Sequence, residues 1–228
     1  MIKNILYLGD ASAYCDFGSE VNEQVNSRVI SYFIKIKELQ KQKKIDGIIN
    51  LTPSYNKLII SFDLDKTNFN EVREIVKNLK IDIQNKKNSK KIEIPVCCEE
   101  GLSFDFERLS KLTDKTKSEI LDYFLSKEYF CYMTGFIAGM PFLGDLDENM
   151  RVKRLETPRV KVPKGSIGLT EQFANIYTFE SPGGWNIIGN TPLKIFNSSK
   201  ETEPNLINPG DTVIFKKISL ENYNNFDE

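Results

Sequence analysis

Histidine is missing from all 228 residues of this chain. Its absence excludes Ser-His-Asp and Cys-His catalysis within the chain, and every His-ligated metal site. Any general base must then be a carboxylate, lysine, tyrosine, cysteine or water. Cysteine is scarce, at four residues, and Cys97 and Cys98 are adjacent, which suits neither a disulfide framework nor a C-x-x-C zinc site. The thiols are expected to be reduced, with Cys15 and Cys131, flanked by aromatics, buried. No apolar run approaches the roughly eighteen residues of a membrane span, and Ile5–Leu8 is too short for a signal-peptide core. The expectation is a cytoplasmic protein with no membrane partner. Neither sign of charge dominates: 31 basic and 32 acidic side chains leave −1, which argues against a nucleic-acid partner. A phosphate loop is also lacking, because Lys164-Gly165-Ser166 has the wrong order and Gly135–Gly139 lacks the G-x-G-x-x-G spacing.

What is present is an ordinary globular composition, 40% hydrophobic and 28% charged, on a chain long enough for two modest domains. Lys3–Leu8 and Ala13–Phe17 are short strand candidates joined across Gly9–Ser12. Val21, Val25, Val29 and Ile36 then recur at helical spacing. Gly47–Leu51 and Lys57–Asp63 make a second strand pair, followed by a helix with the apolar stripe Phe69, Val72, Val76 and Leu79. Asn68 and Glu71 read as a capping box at its start. The order β-β-α-β-β-α predicts a two-layer α+β domain over residues 1–84. The polar stretch Gln84–Lys91 predicts a linker, and 85–228 a second, all-β domain with two short helices, Asp105–Leu112 and Thr116–Leu125, before its strands. Thr212–Lys217 is its last clear strand, and Ser219–Glu228 is expected to fray.

The stretch Thr157–Pro192 is punctuated by Pro163-Lys164-Gly165, Pro182-Gly183-Gly184 and Gly189, with short apolar runs between. Turn signals every ten residues or so predict a small barrel or a sandwich. In Ser181-Pro182-Gly183-Gly184-Trp185 a bare backbone segment stands beside the chain's single tryptophan. It predicts a loop with Trp185 packed next to it. Arg159 and Lys161 alternate with Val160 and Val162, so both cations belong to one strand face, either an anion site or an ordinary solvated face. Ser166, Tyr177, Ser181 and Thr191 offer hydroxyls around them. Asp145 and Asp147 alternate in the same way and could hold Mg²⁺, although Asp after Gly more often ends a turn.

The segments Gly135–Gly144, Thr157-Pro158-Arg159, Val162-Pro163, Ser181–Trp185 and Gly189-Asn190-Thr191-Pro192 occur in an order that resembles one family. The chain resembles the KipI family, also described as the 5-oxoprolinase B subunits or allophanate hydrolase subunit 1. Asp16-Phe17-Gly18, Asn26-Ser27-Arg28-Val29 and Pro53-Ser54-Tyr55 extend the likeness to the amino-terminal half. The resemblance implies a cyclophilin-like barrel after the α+β domain. It also implies one component, inactive alone, of an ATP-dependent hydrolase that opens 5-oxo-L-proline to L-glutamate. Implied partners are the 5-oxoprolinase C subunit (the allophanate hydrolase subunit 2 family) and the A subunit, with ATP and an accompanying Mg²⁺. The alternative it carries is a non-catalytic inhibitor that binds a sensor histidine kinase. The site residues it favours for substrate or nucleotide are Arg159, Lys161, Ser166, Tyr177, Ser181, Gly183, Gly184, Trp185, Asn190 and Thr191, with no catalytic residue assigned and no metal ligand. Departures from the family pattern fall at Glu99, Glu100, Phe124, Asn190 and Phe173-Ala174-Asn175, the last in place of a Gln-Thr-Gly triplet. On this reading, Gly183→Val harms binding more than stability.

Overall fold

The structure is a computed structural model that describes residues 2–81 and 89–226. Of the linker stretch Gln84–Lys91, residues 84–88 lie outside the described residues. The chain divides into two compact units, Met1–Asn88 and Ser89–Glu228.

The first unit runs β1 (Asn4–Tyr7), β2 (Ser12–Asp16), α1 (Glu23–Lys41), β3 (Ile48–Pro53), β4 (Lys57–Phe62) and α2 (Phe69–Asn78). Its strands form one antiparallel sheet in the order β1-β2-β4-β3. Successive side chains on a strand point to opposite faces. Ala13 and Cys15 of β2 therefore share a face with Leu58, Ile60 and Phe62 of β4, and against it lie Val25, Val29 and Ile36 of α1 and Phe69, Val72 and Val76 of α2. Both helices start at asparagine caps: Asn22 Oδ1 accepts from Val25 N at 2.9 Å, and Asn68 Oδ1 from Asn70 N and Glu71 N. The second cap is not the reciprocal box read from the sequence. The Glu71 carboxylate accepts instead from the Thr67 hydroxyl at 2.8 Å.

The second unit begins with β5 (Lys91–Val96), α3 (Phe106–Thr113), α4 (Lys117–Ser126), β6 (Glu128–Thr134) and β7 (Pro141–Gly144). There follow β8 (Arg159–Val162), β9 (Ser166–Thr170), β10 (Phe173–Ile176), β11 (Ser181–Gly183), β12 (Asn186–Asn190), β13 (Thr212–Lys217) and α5 (Leu220–Asn224). Seven strands make one curled sheet, β12-β9-β10-β7-β6-β13-β5, in which β5 and β13 pair in parallel. Its two edges meet where Cys97 and Asn190 exchange backbone hydrogen bonds, both at 2.9 Å. Inside the curl lie Ile94, Val96, Leu143, Ile167, Leu169, Ala174, Ile176, Ile188, Val213 and Phe215, with Leu109 of α3 and Ile120 and Phe124 of α4 packed among them. Helix α4 opens with the Thr116–Glu119 capping box, both bonds present. Phe124, a departure from the family pattern, stacks on Phe215 at 4.5 Å and Tyr129 at 5.3 Å, so it is core rather than site.

The carboxy-terminal tail does not fray from Ser219, as its composition suggested. Ser219 Oγ caps α5, and Tyr223 reaches back to donate to Asn190 Oδ1 at 2.9 Å. A polar hexamer conceals this because its one anchoring partner lies 33 residues away.

All four cysteines are free and buried. Burial pushes the Cys15 and Cys98 thiols up to about 12 and raises Cys131 as well. The thiolate is the reactive form. Native protein at neutral pH is therefore expected to leave its thiols unmodified by an aromatic disulfide reagent over minutes, all four reacting once urea unfolds it. These neutral thiols favour the fold fully below the unfolded-state value near ~8.5, and that contribution fades as pH rises towards 12. Rapid labelling of native protein would contradict the packing.

Candidate functional site

The strands β8 and β11 form a separate two-stranded ribbon, with Gly183 opposite Arg159 and Ser181 opposite Val162. Ser181-Pro182-Gly183 is thus a strand and not the loop expected from Pro and Gly. Gly183 and Gly184 are buried rather than presented to solvent. A small apolar cluster, Met140, Val162, Tyr177 and Ile187, is distinct from the interior core. Ala174 and Ile176 point into the curl. By strand alternation Asn175 and Tyr177 project from the other face of the sheet. The ribbon lies against that outer face, so the candidate site is between ribbon and sheet, not inside the curl.

Close approach explains Gly183. A Cβ there would stand 2.1 Å from the Tyr177 hydroxyl and 2.7 Å from its Cζ. Tyr177 is 1% exposed. Burial raises its hydroxyl above the ordinary tyrosine value, while the Asn175 amide, the Trp185 N–H and the Arg154 and Arg159 guanidiniums act in the opposite direction. Asn175 Oδ1 accepts from Gly168 N at 3.1 Å, and Trp185 meets Phe142 edge-on at 5.6 Å. Two buried polar atoms here, Asn175 Nδ2 and Ser181 Oγ, make no hydrogen bond among the described residues; the Asn175 nitrogen lies beside the Tyr177 hydroxyl without meeting hydrogen-bond geometry. In the family pattern, residue 175 is glycine. The amide lost at Phe173 therefore reappears two residues on, on the same strand face.

Arg159 is held. Its Nη2 donates to Asp105 Oδ1 at 2.6 Å, its Nη1 lies 3.4 Å from Trp185 O, and its guanidinium rests 5.7 Å from the Phe104 ring centre. Asp105 is buried, and its other oxygen accepts from Ile187 N at 2.6 Å. It therefore serves the ribbon and β12 rather than capping α3, where its side chain makes no cap bond. Lys161 pairs with Glu180 at 3.0 Å on the exposed side. Ser166, Asn190 and Thr191 form another group at the seam of the curl. Asn190 Nδ2 donates to Lys164 O at 2.9 Å and lies 3.4 Å from Ser166 Oγ, and Thr191 Oγ1 accepts from Leu193 N. With Tyr223 on its Oδ1, Asn190 is fully used in closing the sheet.

The structure brings together Arg159, Tyr177, Ser181, Gly183, Gly184 and Trp185. Sequence reading missed Asp105, Asn175 and Arg154. Arg154 lies over Gly184, its Nε and Nη2 at 3.1 and 3.2 Å from where a Cβ would stand. The one local signal for it was the basic run Arg151–Lys164, which carries six cations against the single Glu156. Asp145 and Asp147 do not converge on a cation. Asp145 accepts from the Tyr132 hydroxyl and Gln172 Nε2, both at 2.9 Å, while Asp147 pairs with Lys127 at 2.5 Å. No group of three or more candidate metal ligands, and no helix long and apolar enough to cross a membrane, occurs among the described residues.

Residues 3–207 match the family described as carboxyltransferase domain, subdomain C and D, and the chain belongs to that family. It is similar to the 5-oxoprolinase B subunit of Bacillus subtilis, at 32% identity over 97% of this chain and 95% of that protein. It is also similar to the 5-oxoprolinase B subunit of Haemophilus influenzae, 39% identical over 57% of this chain and 61% of that one. Among solved structures, TTHA0988 superposes with a TM-score of 0.79 at 25% identity, covering 91% of this chain. This chain spans only 40% of the length of TTHA0988.

Proposed function

We propose that this chain is the B subunit of an ATP-dependent 5-oxoprolinase, acting with the A and C subunits to open 5-oxo-L-proline to L-glutamate. The observation that carries this reading is the likeness to the Bacillus subtilis B subunit over nearly the whole length of both chains. An unstrained lactam resists water, so coupling to ATP is chemically reasonable. Phosphoryl transfer to the amide oxygen makes the ring carbon electrophilic; water adds there, the C–N bond breaks as the ring nitrogen takes up a proton, and hydrolysis of the acyl phosphate so formed releases phosphate and L-glutamate. The negative charge on the transferred phosphoryl group calls for cationic or N–H donors. The ribbon site supplies guanidinium groups, a buried amide and a hydroxyl at one place. It offers no phosphate loop, and Asp145 and Asp147 do not fit a shared Mg²⁺, so no step is routed through ATP or a metal on this chain. We also propose that the curled sheet is a cyclophilin-like barrel, that residues 1–84 and 85–228 are separate domains, and that the protein works in the cytoplasm. The named relatives lend no support to the kinase-inhibitor alternative.

The test is reconstitution. Co-expressed with homologues of the A and C subunits, the chain is expected to co-purify and to support 5-oxoproline-dependent release of phosphate and glutamate. Alone, it is expected to release neither, having no histidine and no phosphate loop. A complex that forms yet hydrolyses no 5-oxoproline would overturn the substrate, and steady turnover by the isolated chain would overturn its role as one part of a larger enzyme.

A further inference from the structure

Two guanidiniums bear on the Tyr177 hydroxyl, those of Arg154 and Arg159. Arg159 is neutralised by Asp105 at 2.6 Å, and the next cation on the ribbon, Lys161, by Glu180 at 3.0 Å. Arg154 has no carboxylate within 4.0 Å among the described residues and no hydrogen-bond partner there, and it is exposed. Of the three cations Arg154, Arg159 and Lys161, Arg154 is the one without a carboxylate beside it.

That charge is held in place by its backbone. The segment 151–155 has no regular secondary structure, yet it is tied down along its length. Arg151 Nε donates to Leu146 O at 2.9 Å, and Val152 O accepts from Glu171 N at 2.7 Å. Lys153 O accepts from Asn186 Nδ2 at 3.2 Å and Arg108 Nη2 at 3.3 Å, and Leu155 N donates to Gly184 O at 2.6 Å. Bonds on both sides of residue 154 fix where its side chain leaves the chain. The guanidinium then lies over Gly184, its Nε and Nη2 3.1 and 3.2 Å from where a Cβ would stand. An unpaired guanidinium presents a planar fork of donors that suits the two oxygens of a carboxylate or a phosphate. On the same ribbon and sheet face, Asn175 Nδ2 and Ser181 Oγ are buried and make no hydrogen bond among the described residues.

We propose that Arg154 is the anion-binding residue of the ribbon site and receives the carboxylate of a small cyclic amide. This rests on the 5-oxoprolinase reading, which supplies both the amide and the carboxylate, and the titration against phosphate tests the choice of anion separately. The only tryptophan, Trp185, adjoins Gly184 and provides the signal. Trp185 fluorescence of the full chain, alone and in complex with its co-purifying partners, is titrated with 5-oxoproline, the uncharged 2-pyrrolidinone, acetate and inorganic phosphate. Wild type is expected to bind 5-oxoproline saturably and roughly tenfold or more tightly than 2-pyrrolidinone, the worth of one charge-assisted contact. In Arg154→Gln that preference is expected to vanish, Arg154→Lys retaining part of it, with urea midpoints unchanged because the side chain has no protein partner to lose. Saturable binding of acetate but not 5-oxoproline, lost in Arg154→Gln, would keep the carboxylate site and remove the 5-oxoprolinase reading. Undiminished 5-oxoproline binding by Arg154→Gln, tighter binding of phosphate than of either carboxylate, or no response to any anion in wild type would each overturn the proposal.

Discussion

Replacing Asp105 by alanine is expected to destabilise the carboxy-terminal unit by roughly 3–4 kcal/mol. Two contacts are lost at once, each 2.6 Å long: the Arg159 guanidinium on one oxygen and the Ile187 N–H on the other. Ile187 is fully buried, so its amide is left without a partner and without water. An unsatisfied buried donor costs about 1–3 kcal/mol. The Arg159 side chain is 28% exposed, so the freed cation is partly rehydrated and the ion-pair share is discounted accordingly. For a protein of this size, the sum corresponds to a fall in Tm of roughly 6–16 °C. Asp105→Asn keeps one acceptor and is expected to cost about half as much. Urea titrations followed by Trp185 fluorescence would measure both, since that residue lies in the affected unit. A loss below about 1 kcal/mol for Asp105→Ala would mean that the pair contributes nothing net, as many ion pairs do.

Gly183→Ala is the second substitution expected to have a large effect, and the effect is expected on stability, where the sequence alone suggested binding. Its φ is not in the left-handed region, so conformational freedom is not why glycine is needed. The added Cβ collides with the Tyr177 hydroxyl at 2.1 Å, and Tyr177 has Met140, Val162 and Ile187 packed around it. Overpacking of this kind costs about 1–3 kcal/mol, and displacement of the ring also disturbs the ribbon that carries Arg159. The diagnostic experiment is the double mutant. Tyr177→Phe removes the nearest atom and leaves the next at 2.7 Å, so in the Gly183→Ala background it is expected to restore part of the lost stability. Strict additivity of the two substitutions would show that the hydroxyl is not what Gly183 accommodates.

How much could be read in advance depends on how far apart the interacting groups lie along the chain. The strand Thr212–Lys217 and the Thr116–Glu119 box were legible because a strand's period and a helix cap are set by residues two to four positions apart. Family motifs pointed to the right ribbon, since Arg159, Ser181, Gly183 and Trp185 all meet there. They did not indicate which charges are free. Arg159 is quenched by a residue 54 positions away and Asn190 is engaged by one 33 positions away, and no local pattern encodes either pairing.

The sequence by itself determined the excluded chemistries, through the missing histidine, and the β-β-α-β-β-α order of the first unit, through periodicity and caps. Only the tertiary structure decided that Ser181–Gly183 is a strand: its ladder partner is β8, and Pro and Gly locally favour a turn. Tertiary structure also decided that the ribbon residues gather on the outer face of the sheet, because strand alternation separates two faces without saying which one the chain later covers. And it decided that Arg154, not Arg159 or Lys161, is left with charge to offer, because electrostatic neutralisation depends on distance in space and not on distance along the chain.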